Sequence, residues 1–317
     1  MIEYLPYILR RLFYNPVFIF LIFTLLFSSV IWVLTLNAPD GGRIAARIYG
    51  YGIMWCPALA TWVTCRIFNR RITDLAWSWK PTNYLTAAYL IPLGYSLTAY
   101  LIIWTTGWGG FYNKAYVSGI AHELGWEGLP PYLFIVLYLV AQGVIGIFSS
   151  IATALGEEIG WRGFLVPELS KRFGFGTTSL ITGLIWAAWH YPLLIFGHYN
   201  NGTPVWYGLT CFTISVIAAS YIYTWFTLKS GSFWTAVLLH ASHNLFIQAF
   251  FTPITVNKKS TAWYSDEFGA VVPALTVMVA VYFWTRRKEL LQTSTAANIT
   301  NQSSNTKHET IFIKLVQ

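Results

Sequence analysis

The chain has 317 residues, of which 56% are hydrophobic, 18% aromatic and only 10% charged, whereas a soluble domain carries about 25% charged residues. That composition excludes a water-soluble globular protein and, for most of the length, a disordered one. The net charge of +8 does not point to nucleic acid, because no basic run exceeds Arg286-Arg287-Lys288 and the other cations lie between apolar stretches.

A membrane span needs roughly 20 mostly apolar residues. Eight stretches qualify, with limits near 17–37, 47–67, 84–105, 131–155, 178–196, 205–228, 233–252 and 269–285. Turn-forming connectors separate them, among them the stretch from Asn37, Pro81-Thr-Asn, the stretch from His198 and Lys229-Ser-Gly-Ser. The first apolar run follows Arg10, Arg11 and Pro16 with no small-residue cleavage site, and reads as a retained span. Cys56, Cys65 and Cys211 have no paired spacing, so neither a disulfide framework nor a CxxC metal site is expected. The predicted class is therefore an all-α, polytopic membrane bundle of about eight helices.

Its predicted organisation is a cytoplasmic N-terminal segment (1–16), three helices with loops (17–130), a core of helices four to seven (131–252), a loop with the eighth helix (253–291) and a flexible cytoplasmic tail (292–317). The tail is rich in Ser, Thr, Asn and Gln. Positive charge orients the bundle. With the N-terminus inside, thirteen cations face the cytoplasm, including Arg66, Arg70, Arg71, Lys171, Arg172, Lys229 and Arg286 to Lys288, against five outside: Arg43, Arg47, Lys114, Lys258 and Lys259. Both termini are expected in the cytoplasm, and no internal repeat suggests a transporter of inverted halves.

Ionisable residues inside a bilayer are costly and read as functional. Ten of the twelve acidic residues fall in connectors or termini, but Glu157 and Glu158 directly prolong the fourth stretch. His190 lies in the fifth stretch, and His240 and His243 lie in the seventh. If the fourth helix ends at Val166, before Pro167, Glu157 lies about 13 Å from its inner end, with His190, His240 and Asn244 at about 18, 10 and 16 Å. Three helices thus bring these groups to one layer. Glu158 and Arg162 are four apart and can pair, while Glu157 points about 100° away and stays free. His240 and Asn244 share a face, as do Trp186 and His190. Taken singly, Glu158 with Arg162 reads as a structural pair, His198 as part of a polar loop, and His243 as an interhelical hydrogen-bonder.

Glu157-Glu158-x-x-x-Arg162, an aromatic-x-x-x-His ending at His190, and His240-x-x-x-Asn244, in that order on late apolar helices, resemble the motifs of the CPBP family. That family comprises CAAX proteases and bacteriocin-processing enzymes of the Abi type, and includes the type II CAAX prenyl endopeptidase. One departure is Trp186, where the family usually has Phe. The resemblance implies an intramembrane endopeptidase in which Glu157 and His190 activate water and His240 and Asn244 stabilise the oxyanion. Glu158, Arg162 and Trp186 would support the site. It implies a lipidated or membrane-embedded peptide substrate among membrane lipids, in a prokaryotic cell membrane, with the active site opening toward the cytoplasm. Most members occur in organisms without prenylated CAAX proteins, so the name assigns no substrate.

The chemistry agrees with that expectation. Peptide hydrolysis needs a base for water, and a carboxylate in a low-dielectric cavity is a competent one. Zincin spacing fails because Trp126 follows His122-Glu123 where a second His would stand, no Gly-x-Ser-x-Gly elbow occurs, and no Asp lies in a span. Zinc on Glu157, His190 and His240 is the alternative, but no two of these ligands are four apart on one helix, and a metal-free glutamic mechanism is favoured. Two further readings stand beside it: a non-catalytic scaffold or bacteriocin self-immunity protein of the same fold, and a small transporter using Glu157.

Overall fold

Asn15 opens the first helix by accepting a hydrogen bond from the Val17 amide at 3.0 Å, with Pro16 in the first turn, where its missing N–H costs nothing. The computed structural model describes residues 14–38, 43–79, 82–197 and 202–290. Within them lie α1 (Pro16–Leu36), α2 (Arg43–Ile67), α3 (Thr82–Thr105), α4 (Lys114–Leu124), α5 (Pro131–Ser170), α6 (Phe175–Phe196), α7 (Val205–Ser230), α8 (Trp234–Asn244, continued through Leu245–Phe251 to Ile254) and α9 (Val271–Thr285). By length and composition α1, α3, α5, α6 and α7 suffice to cross a membrane, and α9 is a shorter apolar helix. Their outer faces carry large apolar side chains, such as Leu25, Val30 and Val33 on α1 and Ile145 and Phe148 on α5. Such faces suit lipid rather than water. The protein is an all-α, multi-pass membrane protein.

Each of the eight predicted spans lies in a helix, with two differences. The fourth helix does not end at Val166. It runs on through Pro167 to Ser170, because wide π turns at Ile159–Leu165 replace the regular hydrogen-bond ladder just before the proline. A short helix, α4, also stands in what reads as a connector. Asn113 caps its start by accepting from the Tyr116 amide, and Gly125, at φ 68°, ends it in the left-handed region. His198 and the tail from 291 lie outside the described residues.

Because successive spans alternate in direction, the bundle has two distinct ends. At one end Arg70 pairs with Glu168 at 2.6 Å, the Trp234 indole donates to the Trp77 carbonyl at 3.0 Å, and Lys229 donates to the Glu289 carbonyl at 3.0 Å. Arg66, Arg71, Lys171, Arg172 and Arg286 to Lys288 lie in the helix termini and loops of this basic end. The opposite end is tied by a two-residue antiparallel pairing, Gly110 with Val256 and Phe111 with Thr255, and by Lys258 donating to the Gly107 carbonyl.

The site helix α5 is pressed onto α2 by two glycines. A Cβ on Gly156 would meet the Met54 carbonyl oxygen at 2.6 Å, and one on Gly160 would meet the Pro57 side chain at 2.5 Å. This small-x-x-x-small stripe lets the backbones approach and fixes the rotation of the residues between, Glu157 and Glu158. Around it Trp161, Phe164, Trp186, Trp189 and Phe20 form one buried aromatic cluster. The Trp189 indole donates to Ser28 Oγ at 2.7 Å and joins α6 to α1.

Candidate active site

Glu157 and Glu158 sit at the last α-helical turn of α5 before its π segment Ile159–Leu165, and Asn244 immediately precedes another in α8, Leu245–Phe251. Such insertions widen a helix and re-aim the side chains beside them, and they recur at functional sites. Glu157, Trp186, His190, His240 and Asn244, from three helices, line one cavity of about 200 Å³. Glu158 and Arg162 lie behind its wall, fully buried.

The two carboxylates have different partners. Glu158 accepts both of its Arg162 contacts from Nη1, at 2.9 and 3.0 Å, and also accepts from His240 Nδ1 at 2.9 Å. Arg162 spends its other face on rings, with its guanidinium carbon 4.2 Å from the Trp186 centroid and 4.8 Å from that of Tyr223. Its Nε and Nη2 make no hydrogen bond among the described residues. Glu157 accepts only indole donors, from Trp186 at 2.6 Å and Trp161 at 3.2 Å. One carboxylate is thus compensated by a cation, while the other, 1% exposed, is held by neutral donors and faces the cavity. The predicted split between a paired Glu158 and an unpaired Glu157 is what the geometry has.

Hydrogen-bond chemistry fixes the histidine tautomers. His190 Nδ1 lies 2.9 Å from the Trp186 carbonyl oxygen, which can only accept, so Nδ1 is the donor of that bond and a ring carrying one proton leaves Nε2 as its acceptor. His240 Nδ1 likewise donates to Glu158. Its Nε2 is therefore a donor only when the ring carries both protons, and Glu158 is the counter-charge of that form. Among the described residues, no three His, Cys, Asp or Glu side chains converge as a metal site. Glu157, His190 and His240 line the same cavity.

Sequence reasoning missed a second polar group in the same wall. His243, Gln248 and Glu267 also line the cavity. The Tyr95 hydroxyl lies 2.6 Å from His243 Nδ1, His243 Nε2 lies 3.2 Å from Glu267 Oε2, and Gln248 donates to Glu267 Oε1 at 2.8 Å. His243 is the expected interhelical hydrogen-bonder, bridging α8 to α3. Asp266 and Glu267 lie in a connector, as their sequence position suggests, but both are buried rather than solvated. Asp266, at φ 65°, turns the chain inward, and its carboxylate accepts from the Glu267 amide at 2.7 Å. Burial, together with the adjacent Glu267 charge, pushes the Asp266 carboxyl up to about 7. Burial opposes ionisation of Glu267 too, but the His243 donor and the charges of His243 and His190 outweigh it, with Gln248 adding a second donor, and hold that carboxyl below its ordinary range. The only sequence signal was an Asp-Glu pair directly before an apolar helix. By contrast, His122 is exposed beside Glu127 at 2.7 Å, as expected of a solvated residue.

The cavity has a direction. His240 and Tyr223 are near the basic end of their helices, whereas Trp32, Gly50, Leu193, Phe212, Gln248 and Glu267 carry the lining toward the opposite end. A mouth among the Arg and Lys residues, as the depth arithmetic suggested, is not where this lining leads.

The multi-pass bundle thus brings a carboxylate without a cationic partner among the described residues, two imidazoles and an amide to one cavity within the membrane-spanning region. Its segment 139–246 matches the family described as type II CAAX prenyl endopeptidase, Rce1-like, the region that carries the three motifs. A protein named CAAX prenyl protease 2 from Methanococcus maripaludis is 32% identical over 104 residues, which are 31% of this chain and 38% of that protein. The match thus spans well under half of the relative's length, while the family match, 139–246, runs from α5 into α8.

Proposed function

We propose that this protein is an intramembrane endopeptidase that hydrolyses a peptide bond in a membrane-associated substrate without a metal ion. The observation that carries the proposal is Glu157: a buried carboxylate with no cationic partner among the described residues, facing the same cavity as His190 Nε2. A water between these two acceptors donates a proton to Glu157, and its oxygen attacks the scissile carbonyl carbon. The oxyanion receives hydrogen bonds from the Asn244 amide and from His240 Nε2–H, and each such donor is worth about 3 kcal/mol in comparable sites. The proton held by the Glu157–His190 pair then passes to the leaving nitrogen as the carbon–nitrogen bond breaks. Glu158, fixed by Arg162, orients His240.

The substrate class follows from location and relatives. A cavity within a bilayer-spanning bundle receives a segment anchored by lipid or by its own apolar residues, and the relative's name suggests prenylated CAAX proteins as one such class. The charge bias supports a cytoplasmic basic end with both termini on that side. On that orientation the cavity leads away from the cytoplasm, and substrate approaches from the other leaflet.

The test is hydrolysis of lipidated peptides and small hydrophobic precursors by purified protein in lipid nanodiscs. Cleavage by the parent, lost in Glu157→Gln and His190→Ala, is the expected result. No cleavage, combined with protection of cells against a bacteriocin by the Glu157→Gln variant, overturns the proposal in favour of an immunity scaffold.

A further inference from the structure

Glu158 has its charge cancelled by Arg162, but a second carboxylate in the cavity wall does not have such a partner. Glu267 is 6% exposed, and its oxygens are held by Gln248 Nε2 and His243 Nε2. Among the described residues, no Lys or Arg lies within ion-pair distance of either Glu157 or Glu267. Burying a carboxylate costs several kcal/mol, and a cavity that retains two of them with no Lys or Arg partner, Glu267 being paired only with His243, favours a cation between or beside them.

The Glu267 carboxylate is also pinned. The Tyr95 hydroxyl lies against His243 Nδ1 and His243 Nε2 against Glu267, so both ring nitrogens are engaged and the imidazole is fixed in place. Gln248 lies four residues beyond Asn244, inside the π segment Leu245–Phe251 and a little under one of its wide turns farther toward the non-basic end. An extended substrate advances about 3.3 Å per residue. A group bound at Glu267 therefore belongs to a residue one or two positions from the bond whose carbonyl meets His240 and Asn244.

We propose that Glu267, held by the Tyr95–His243 pair and by Gln248, forms a specificity subsite for a positively charged substrate group, an ammonium or guanidinium, within two residues of the scissile bond. The proposal rests on the hydrolase reading of the cavity. Glu267 contributes no proton transfer; it is a binding group that selects by charge.

The experiment uses the full chain in nanodiscs and a panel of synthetic hydrophobic peptides that differ at one position, carrying Lys, Met or Glu one or two residues on either side of the cleaved bond. The parent is expected to prefer Lys over Met by about tenfold in kcat/KM, the value of one charge-assisted hydrogen bond of roughly 1.4 kcal/mol. Glu267→Gln brings that ratio to near unity, and Glu267→Lys turns the preference toward Glu. Glu267→Asp, a second variant should the first fail to fold, keeps the sign at reduced size. The same ratios are read as peptide affinity by fluorescence anisotropy on the Glu157→Gln variant, where no turnover is needed. A parent without charge preference in binding, or a preference that Glu267→Gln leaves intact, overturns the subsite. If the parent binds with the expected preference but cleaves nothing, the hydrolase reading fails and the subsite stands.

Discussion

Glu158 is the hub at which stability and chemistry meet, and its replacement by Gln separates them. The substitution preserves shape but removes the charge that compensates Arg162 and His240, both at 2.9 Å. An amide oxygen cannot replace two carboxylate oxygens among these donors, and its own NH2 group faces donors in turn. Arg162 has no hydrogen-bonded alternative, since Nε and Nη2 already lack partners among the described residues and its remaining contacts are the Trp186 and Tyr223 rings. Breaking one side of a buried ion pair costs about 3 to 5 kcal/mol. For a chain of this size, each kcal/mol moves Tm by about 2 °C, so Glu158→Gln lowers the apparent Tm by about 6 to 10 °C. Removing both charges with Glu158→Leu and Arg162→Met restores at least half of that loss, because well-packed apolar replacements of buried pairs are often neutral. Hydrolysis stays lost in the double variant, since His240 has no anchor. The assay is thermal unfolding in a fixed detergent alongside peptide cleavage. An unchanged Tm for Glu158→Gln, or a double variant as unstable as the sum of the singles, refutes the reasoning.

Other outcomes follow from the same structure. Asp266, with its carboxyl raised to about 7, binds a proton more readily folded than unfolded, so it costs stability as pH climbs from the ordinary carboxylate value of about 4 through 7. Glu267 is shifted the other way and costs stability only when acid protonates it below its ordinary value. Apparent Tm is therefore expected to be higher at about pH 5.5 than at about pH 8, with the slope flattened in Asp266→Asn. Asn244→Ala removes one oxyanion donor and should lower kcat by about 10²-fold or more with a smaller change in KM. Single cysteines at Gly50 or Ser215, in a chain whose buried Cys56, Cys65 and Cys211 are replaced, are expected to react with an impermeant thiol reagent applied outside intact cells. Labelling only from the cytoplasmic side reverses the proposed orientation.

The parts of the site that were legible in the sequence are those carried by local spacing. Glu158 and Arg162 pair because they are four apart on one helix, and Glu157 turns away because it is one residue earlier. The order of apolar stretches with Glu157, His190, His240 and Asn244 at related depths was enough to bring four side chains to one cavity. What stayed hidden depends on tertiary return. Glu267 reaches the cavity because a connector with a left-handed Asp266 folds back over the bundle, and a polar connector looks alike whether it is solvated or buried. The π segments leave no mark in composition, so the passage of α5 through Pro167 was read as a stop. Charge counting gave the basic end, yet depth measured along separate helices does not reveal toward which end a cavity leads.

The central claim is that Glu157 activates water in a metal-free site. Its most direct test is cleavage of a lipidated or hydrophobic peptide by the parent and by Glu157→Gln in nanodiscs, after exhaustive chelation, in water enriched in oxygen-18. The account expects one heavy oxygen in the new carboxylate, full activity after chelation, and a fall of about 10²- to 10⁴-fold in Glu157→Gln with the fold intact. Activity that disappears with chelator and returns with zinc, or cleavage undiminished in Glu157→Gln, contradicts it.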